Sequence, residues 1–168
     1  MVTILGLSVC VIAACGCIAC GTAGCSIIVE KTRITVDAAG RDLNPLNLAE
    51  VRLFSASKLQ YKPTRLTITM SSFGDATGPQ NCLDDDIRTT CETTSRTNQL
   101  EWLRVTYPCS EGLSRVEITN RVDCCQERIV QYQMRVTEGN QDITRASAYR
   151  FNAAQPSYTW FVGEWHVH

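Results

Sequence analysis

The chain predicts an all-β fold, an antiparallel β-sandwich or jelly roll preceded by one hydrophobic helix, and three observations carry that expectation. Apolar and polar residues alternate with period two in several runs, turn-forming clusters separate those runs, and no charged residue occurs before Glu30. Period-two alternation marks a strand with one buried face, because successive side chains leave a strand on opposite sides.

The uncharged stretch comes first. Residues 1–29 can cross a bilayer as a helix, which takes about 20 apolar residues, so they are assigned as a transmembrane anchor or signal segment ahead of a domain over residues 30–168. A secretory signal opens with a basic region, absent here, although the small residues Gly21, Thr22 and Ala23 would permit cleavage after Ala23. Ile12-Ala13-Ala14-Cys15 also has the form of a bacterial lipoprotein box, again without basic residues. A retained anchor is the expectation, and secretion after cleavage the alternative. In a retained helix, Ala13, Cys17 and Gly21 fall four apart, as do Gly16 and Cys20, giving a face of small residues for helix-mediated association. Lys31 and Arg33 just beyond the run favour a cytoplasmic domain. That placement conflicts with disulfide bonds, since cytosolic thiols stay reduced. Export, or the membrane of a virion that oxidises its own thiols, reconciles the two.

Residues Thr32 to His168 suffice for one hydrophobic core, and no repeat, low-complexity tract or linker divides them. Leu66, Ile68 and Met70 alternate with threonines; Leu103, Val105 and Tyr107 alternate with Arg104 and Thr106; Tyr132, Met134 and Val136 alternate with Gln133 and Arg135. Gly74-Asp75-Ala76-Thr77-Gly78-Pro79 and Glu138-Gly139-Asn140-Gln141-Asp142 supply turns. Trp102, Trp160 and Trp165 are assigned to core or rim packing. A net charge of -1 without a basic cluster argues against nucleic acid as a partner. No Asn-x-Ser/Thr sequon is present.

Ten cysteines divide between Cys10, Cys15, Cys17, Cys20 and Cys25 in the apolar start and Cys82, Cys91, Cys109, Cys124 and Cys125 beyond it. If Cys124 and Cys125 bond to each other, three of the second group remain, and one is free or pairs between chains. Zinc-ribbon spacing does not occur, and Cys17-x-x-Cys20 lies in an apolar run, so no structural zinc is expected.

The densest chemistry lies in Arg121-Val122-Asp123-Cys124-Cys125-Gln126-Glu127-Arg128. Adjacent cysteines point to opposite faces of a strand, so they either split between two bridges or close on each other as a rigid platform. The flanking arginines present planar forks of donors suited to vicinal hydroxyls or carboxylates; a solvated turn is the alternative. Upstream, Asn81-Cys82-Leu83-Asp84-Asp85-Asp86 gathers many oxygens, and calcium takes about six to eight. Three adjacent aspartates would repel one another without a cation, whereas a polar turn would need none. No catalytic arrangement stands out: the serines lack a histidine nearby in sequence, and His166 and His168 close the chain. Carboxylates distant in sequence can still meet in space, but the protein is read as not an enzyme.

The arginine run resembles the signature of F-type lectins (fucolectins), which carry a galactose-binding-like, discoidin-type domain. Leu46-Asn47-Leu48-Ala49-Glu50-Val51 looks like the opening strand of that family, Asn81 to Asp86 like its calcium loop, and Val116-Glu117-Ile118-Thr119-Asn120 like the strand that delivers the arginines. The likeness spans roughly Asn44 to the C-terminus. It implies a galactose-binding-like β-sandwich in which Arg121 and Arg128 donate to sugar hydroxyls, Asp123 orients an arginine and the Cys124-Cys125 bridge offers an apolar patch. It also implies a structural Ca2+ held by Asn81, Asp84, Asp86, Thr90 and Glu164, pinning a loop beside the sugar site. One departure matters. The family places a histidine after an upstream cysteine, and here the segment reads Thr90-Cys91-Glu92-Thr93-Thr94. Glu92 and Thr93 therefore enter the ligand-site set, with Glu92 either helping to hold a polar ligand or pairing with Arg121 or Arg128 and filling the pocket. The family joins the cysteine at the Cys91 position to one that is Gly163 here, which leaves Cys82 or Cys109 as partner.

The function expected on these grounds is a non-enzymatic carbohydrate-binding module, membrane-anchored or exported, with calcium stabilising the sandwich. Its partners would be a glycan or protein surface and, through residues 1–29, a membrane. The alternative is a structural or adhesion protein, such as a membrane-anchored minor virion (capsid) or wall component, in which the sugar site is degenerate.

Overall fold

Two antiparallel sheets pack face to face in the computed structural model, which describes residues 24–34, 37–39, 44–94, 100–138, 141–142 and 149–162. Strands run in chain order as β1 (Cys25–Lys31), β2 (Asn47–Phe54), β3 (Thr67–Met70), β4 (Cys91–Glu92), β5 (Trp102–Tyr107), β6 (Arg115–Asn120), β7 (Tyr132–Glu138), β8 (Gln141–Asp142), β9 (Tyr149–Arg150) and β10 (Ser157–Phe161). One sheet has the order β3-β5-β1-β7-β8, with β9 also on β7; the other has the order β10-β6-β2-β4. The all-β sandwich read from the alternating runs is therefore the fold.

The boundary at residue 29 is corrected. Cys25 to Val29 do not belong to an N-terminal helix but open β1, which pairs with β5 on one side and β7 on the other. Ile27 and Val29 are fully buried and Ile28 nearly so. A strand at the centre of a covered sheet loses the polar alternation of an edge and reads as an unbroken apolar run. Lys31 is likewise not a flanking membrane cue: it is buried, its Nζ donates to the Asn44 carbonyl at 3.0 Å, and it stands over the Tyr132 ring. The stretch ahead of residue 24 lies outside the described residues. Among the described residues no helix is long and apolar enough to cross a membrane.

Ile27, Val29, Leu103, Val105, Met134 and Val136 from the first sheet meet Leu48, Val51, Leu53, Val116 and Ile118 from the second. Each such side chain contributes about 1.5–3 kcal/mol on burial. Strand β2 shows how the pattern is kept in phase. Leu46 and Leu48 face the core, as do Val51 and Leu53, which is one residue out of step for a regular strand. A bulge between Leu48 and Glu50 absorbs the extra residue and restores the buried face.

Three disulfides occur among the described residues: Cys25–Cys109, Cys82–Cys91 and Cys124–Cys125. The odd cysteine expected downstream is thereby corrected, because Cys25 belongs to the sandwich and takes Cys109. Cys91 takes Cys82. Trp160 packs against the core, stacked on Tyr158 and edge-on to Phe151, while Trp102 is half-buried beside Arg104. Trp165 lies outside the described residues.

Candidate functional site

Strand β6 ends at Asn120, and this side chain sets the geometry that follows. Fully buried, it donates from Nδ2 to the carbonyls of Gln126 (3.0 Å) and Gln155 (3.2 Å), and its Oδ1 accepts from the Arg121 backbone N–H at 2.9 Å. The loop 121–126 is thus drawn back onto the strand end. Within it Cys125 adopts φ 62°, a left-handed conformation uncommon outside glycine. A 3-10 turn over Gln126–Gln131 then returns the chain to β7 and brings Arg128 round to Arg121.

Both arginines meet one carboxylate. Arg121 Nη1 donates to Glu92 Oε2 at 3.1 Å, and Arg128 Nη1 donates to Glu92 Oε1 at 2.9 Å. Arg121 also grips Asp123 through Nε (2.5 Å) and Nη2 (3.0 Å). This grip holds the Asp123 carboxyl down at about 2, well below the ordinary carboxylate value, and raises the Arg121 guanidinium. The side chains of Arg121, Arg128 and Glu92 keep 20, 23 and 24 % of their surface exposed, so the cluster is open to solvent. Two cations and two anions leave no net charge. Of the residues expected here, Arg121, Asp123, Arg128, Glu92, Cys124 and Cys125 come together. Thr93 does not join them: it is buried, and its hydroxyl accepts from the Leu46 backbone N–H at 2.9 Å, fastening the start of β2.

The acidic loop lies beside this cluster, closed at its base by Cys82–Cys91, one residue from Glu92. Its aspartates do not stand unpaired, contrary to the expectation that they repel one another without a cation. Asp86 is gripped by Arg88 at Nε and Nη2, both 2.8 Å, which lowers its carboxyl to about 2. Asp85 takes Arg52 Nε at 3.2 Å, and Asp84 Oδ2 accepts from the Thr89 hydroxyl at 2.7 Å. Asn81 donates from Nδ2 to the carbonyls of Ala76 and Thr90. The fit to calcium rests on Thr89. Its hydroxyl has a single proton, yet the Asn81 carbonyl, Asp84 Oδ2 and the Asp86 carbonyl all stand within 2.7–3.2 Å of it. A convergence of carbonyl and carboxylate oxygens is the donor set a hard cation takes. No three His, Cys, Asp or Glu side chains among the described residues are placed to hold a metal ion together, so most donors would be backbone. Glu164 lies outside the described residues; just after β10 the Val162 N–H donates to the Ser114 carbonyl.

Under the loop, Glu50 is buried with Oε2 unpartnered, and burial pushes its carboxyl up to about 7. Arg52, Arg88, Thr89 and the anchoring role of Asn120 were not read from the sequence. Asn120 could have been: an amide closing an apolar strand, directly before a motif, is placed to cap a loop.

Comparison with known proteins sets the wider identity. The family described as the NedA-like, galactose-binding domain matches residues 81–164, half of the chain. The chain belongs to that family. The matched span of this galactose-binding domain takes in the acidic loop, Glu92 and the arginine run, while β1, β2 and β3 lie ahead of it. No curated protein and no solved structure gives a significant match. Galactose-binding-like domains of this discoidin type are in general non-catalytic binding modules.

Proposed function

We propose that the protein is a non-enzymatic carbohydrate-binding module of the F-type lectin kind, whose glycan sits on Arg121, Arg128 and the Cys124–Cys125 bridge. One observation carries this reading: within a galactose-binding domain, two guanidinium groups converge beside a vicinal disulfide at a solvent-open strand end. Arg128 Nε and Nη2 and the second protons of Arg121 Nη1 and Nη2 remain to donate to hydroxyls, and Glu92 is an acceptor between them. The bridge supplies an apolar surface for a sugar face.

Calcium is the proposed structural ion, held by Asn81, Asp84, Asp86 and Thr90 with Glu164; the excess of oxygens around Thr89 supports it. Bound there it would stiffen the loop whose disulfide ends beside Glu92. A membrane anchor before β1, on a cell surface or virion, or secretion after its removal, completes the proposal. The test is a glycan array with the full-length protein at millimolar calcium and again in chelator. Binding that Arg121→Ala abolishes supports the module.

A second reading, a structural or adhesion protein with a degenerate sugar site, is favoured by Glu92, which satisfies one proton of each arginine from within the chain. An array silent under every condition would count against the module and favour this reading.

A further inference from the structure

The strand register places a third polar group in the arginine cluster. Asn47 opens β2 opposite Glu92 of β4, and Leu48 pairs with both Cys91 and Asn120. The next position of that register puts Arg121 on the other side of Asn47. Side chains of directly opposed residues share a face, so Glu92, Asn47 and Arg121 form one row across three adjacent chain segments. The row beneath, Cys91, Leu48 and Asn120, is fully buried on the core side. The Glu92–Arg121 ion pair spans the outer row, and Asn47 in its middle is 1 % exposed, with neither Nδ2 nor Oδ1 hydrogen-bonded. A buried amide with both ends unsatisfied opposes folding and is uncommon in native proteins. An unpaired donor and acceptor side by side match a hydroxyl, which both gives and takes a hydrogen bond.

We propose that the site takes an uncharged sugar, one hydroxyl of which seats between Glu92 and Arg121 on the Asn47 amide, and that Glu92 excludes acidic sugars. This inference rests on the glycan-site reading above. The hydroxyl donates to Glu92 or Asn47 Oδ1 and accepts from Arg121 or Asn47 Nδ2, so the ion pair parts by the width of one oxygen and each member keeps a partner. A carboxylate can only accept. On the protons that Arg121 and Arg128 keep free it would stand beside Glu92 as a third anion, in a cluster whose two cations are already balanced by Glu92 and Asp123.

The experiment compares the full-length protein, its Asn47→Leu variant and its Glu92→Gln variant on an array of galactosyl-, fucosyl- and glucuronate-terminated glycans, with melting temperatures recorded for each. Wild type should bind a neutral glycan at least tenfold more tightly than any uronate. Asn47→Leu should lose at least tenfold on that glycan while its melting temperature holds or rises, as an unpaired amide gives way to an apolar isostere. Glu92→Gln should gain uronate binding. Should Asn47→Leu fail to fold, Glu92→Gln still decides the selectivity. Unchanged affinity in a folded Asn47→Leu, or equal binding of uronates by wild type, overturns the inference while leaving the glycan site standing. Silence of wild type on the whole array overturns the glycan reading and this inference with it.

Discussion

The two ends of the four-stranded sheet are built from the same strands and do different things. At one end β2 and β4 present Asn47 and Glu92 and the chain leaving β6 presents Arg121, where Glu92 and Arg121 pair at 3.1 Å with their charges balanced and the Asn47 amide stays unpaired. At the other, β2, β6 and β10 present Phe54, Arg115 and Phe161, where the Arg115 guanidinium lies 3.7 Å from the centre of the Phe54 ring, over a groove of about 330 Å3. The groove is large enough for a small ligand, yet its arginine is spent on an aromatic face. The ends also differ in a disulfide that bears on their roles, beside the Cys82–Cys91 bridge at the base of the acidic loop. Cys25–Cys109 at the groove end joins residues 84 apart, whereas Cys124–Cys125 at the arginine end joins neighbours. A long bridge restricts the unfolded chain and a vicinal one hardly does. One end thus holds the fold together, and the other presents directional chemistry.

Breaking the two bridges should separate these roles most clearly. Cys25→Ser with Cys109→Ser is expected to lower stability by about 4 kcal/mol, from the loop length, whereas Cys124→Ser with Cys125→Ser should leave stability within about 1 kcal/mol and weaken glycan binding. Chemical denaturation of both variants measures the first difference and the glycan array the second; equal destabilisation would erase the distinction between the ends. The arginines come next. Arg121→Ala removes charged hydrogen bonds worth about 1.5–3 kcal/mol each, or roughly ten- to hundredfold in affinity. Arg115→Ala should leave affinity within about twofold, since a cation–π contact at an exposed site is worth about 0.5–1 kcal/mol and lies away from the ligand. Titration calorimetry on one neutral glycan compares them.

The smallest effect concerns pH. Glu50, on β2 between the two ends, has its carboxyl raised from 4.5 to about 7 by burial. The folded chain therefore holds this proton more tightly than the unfolded one. Its contribution to stability is full below about pH 4.5 and is lost as pH rises to about 7. A Glu50→Gln variant should flatten that part of the profile by on the order of 1–3 kcal/mol, measured as melting temperature against pH in chelator. A parallel slope in both proteins would remove Glu50 as the cause.

Alternation made β3, β5 and β7 legible because each has one polar and one buried face. Strand β1 was not, because Ser26-Ile27-Ile28-Val29 is covered on both faces and an apolar run of that length reads equally as part of a helix. Its loss has a practical consequence: a fragment beginning at Thr32 lacks the strand that β5 and β7 share, and is expected not to fold, as circular dichroism would show.

By itself the sequence determined that the chain is β-rich, that Arg121, Arg128 and two adjacent cysteines share a short loop, and that Glu92 stands where a resembling family has histidine. These are local facts, set by residue type and by spacings of a few positions. Tertiary structure alone decided that Glu92 bridges both arginines, that Cys25 reaches Cys109, that Arg52 answers Asp85, and that Asn47 lies unpaired in the row between Glu92 and Arg121. Each of these depends on strand order and register, which arise from packing two sheets around one core, and residues distant in sequence become neighbours only once that packing is made.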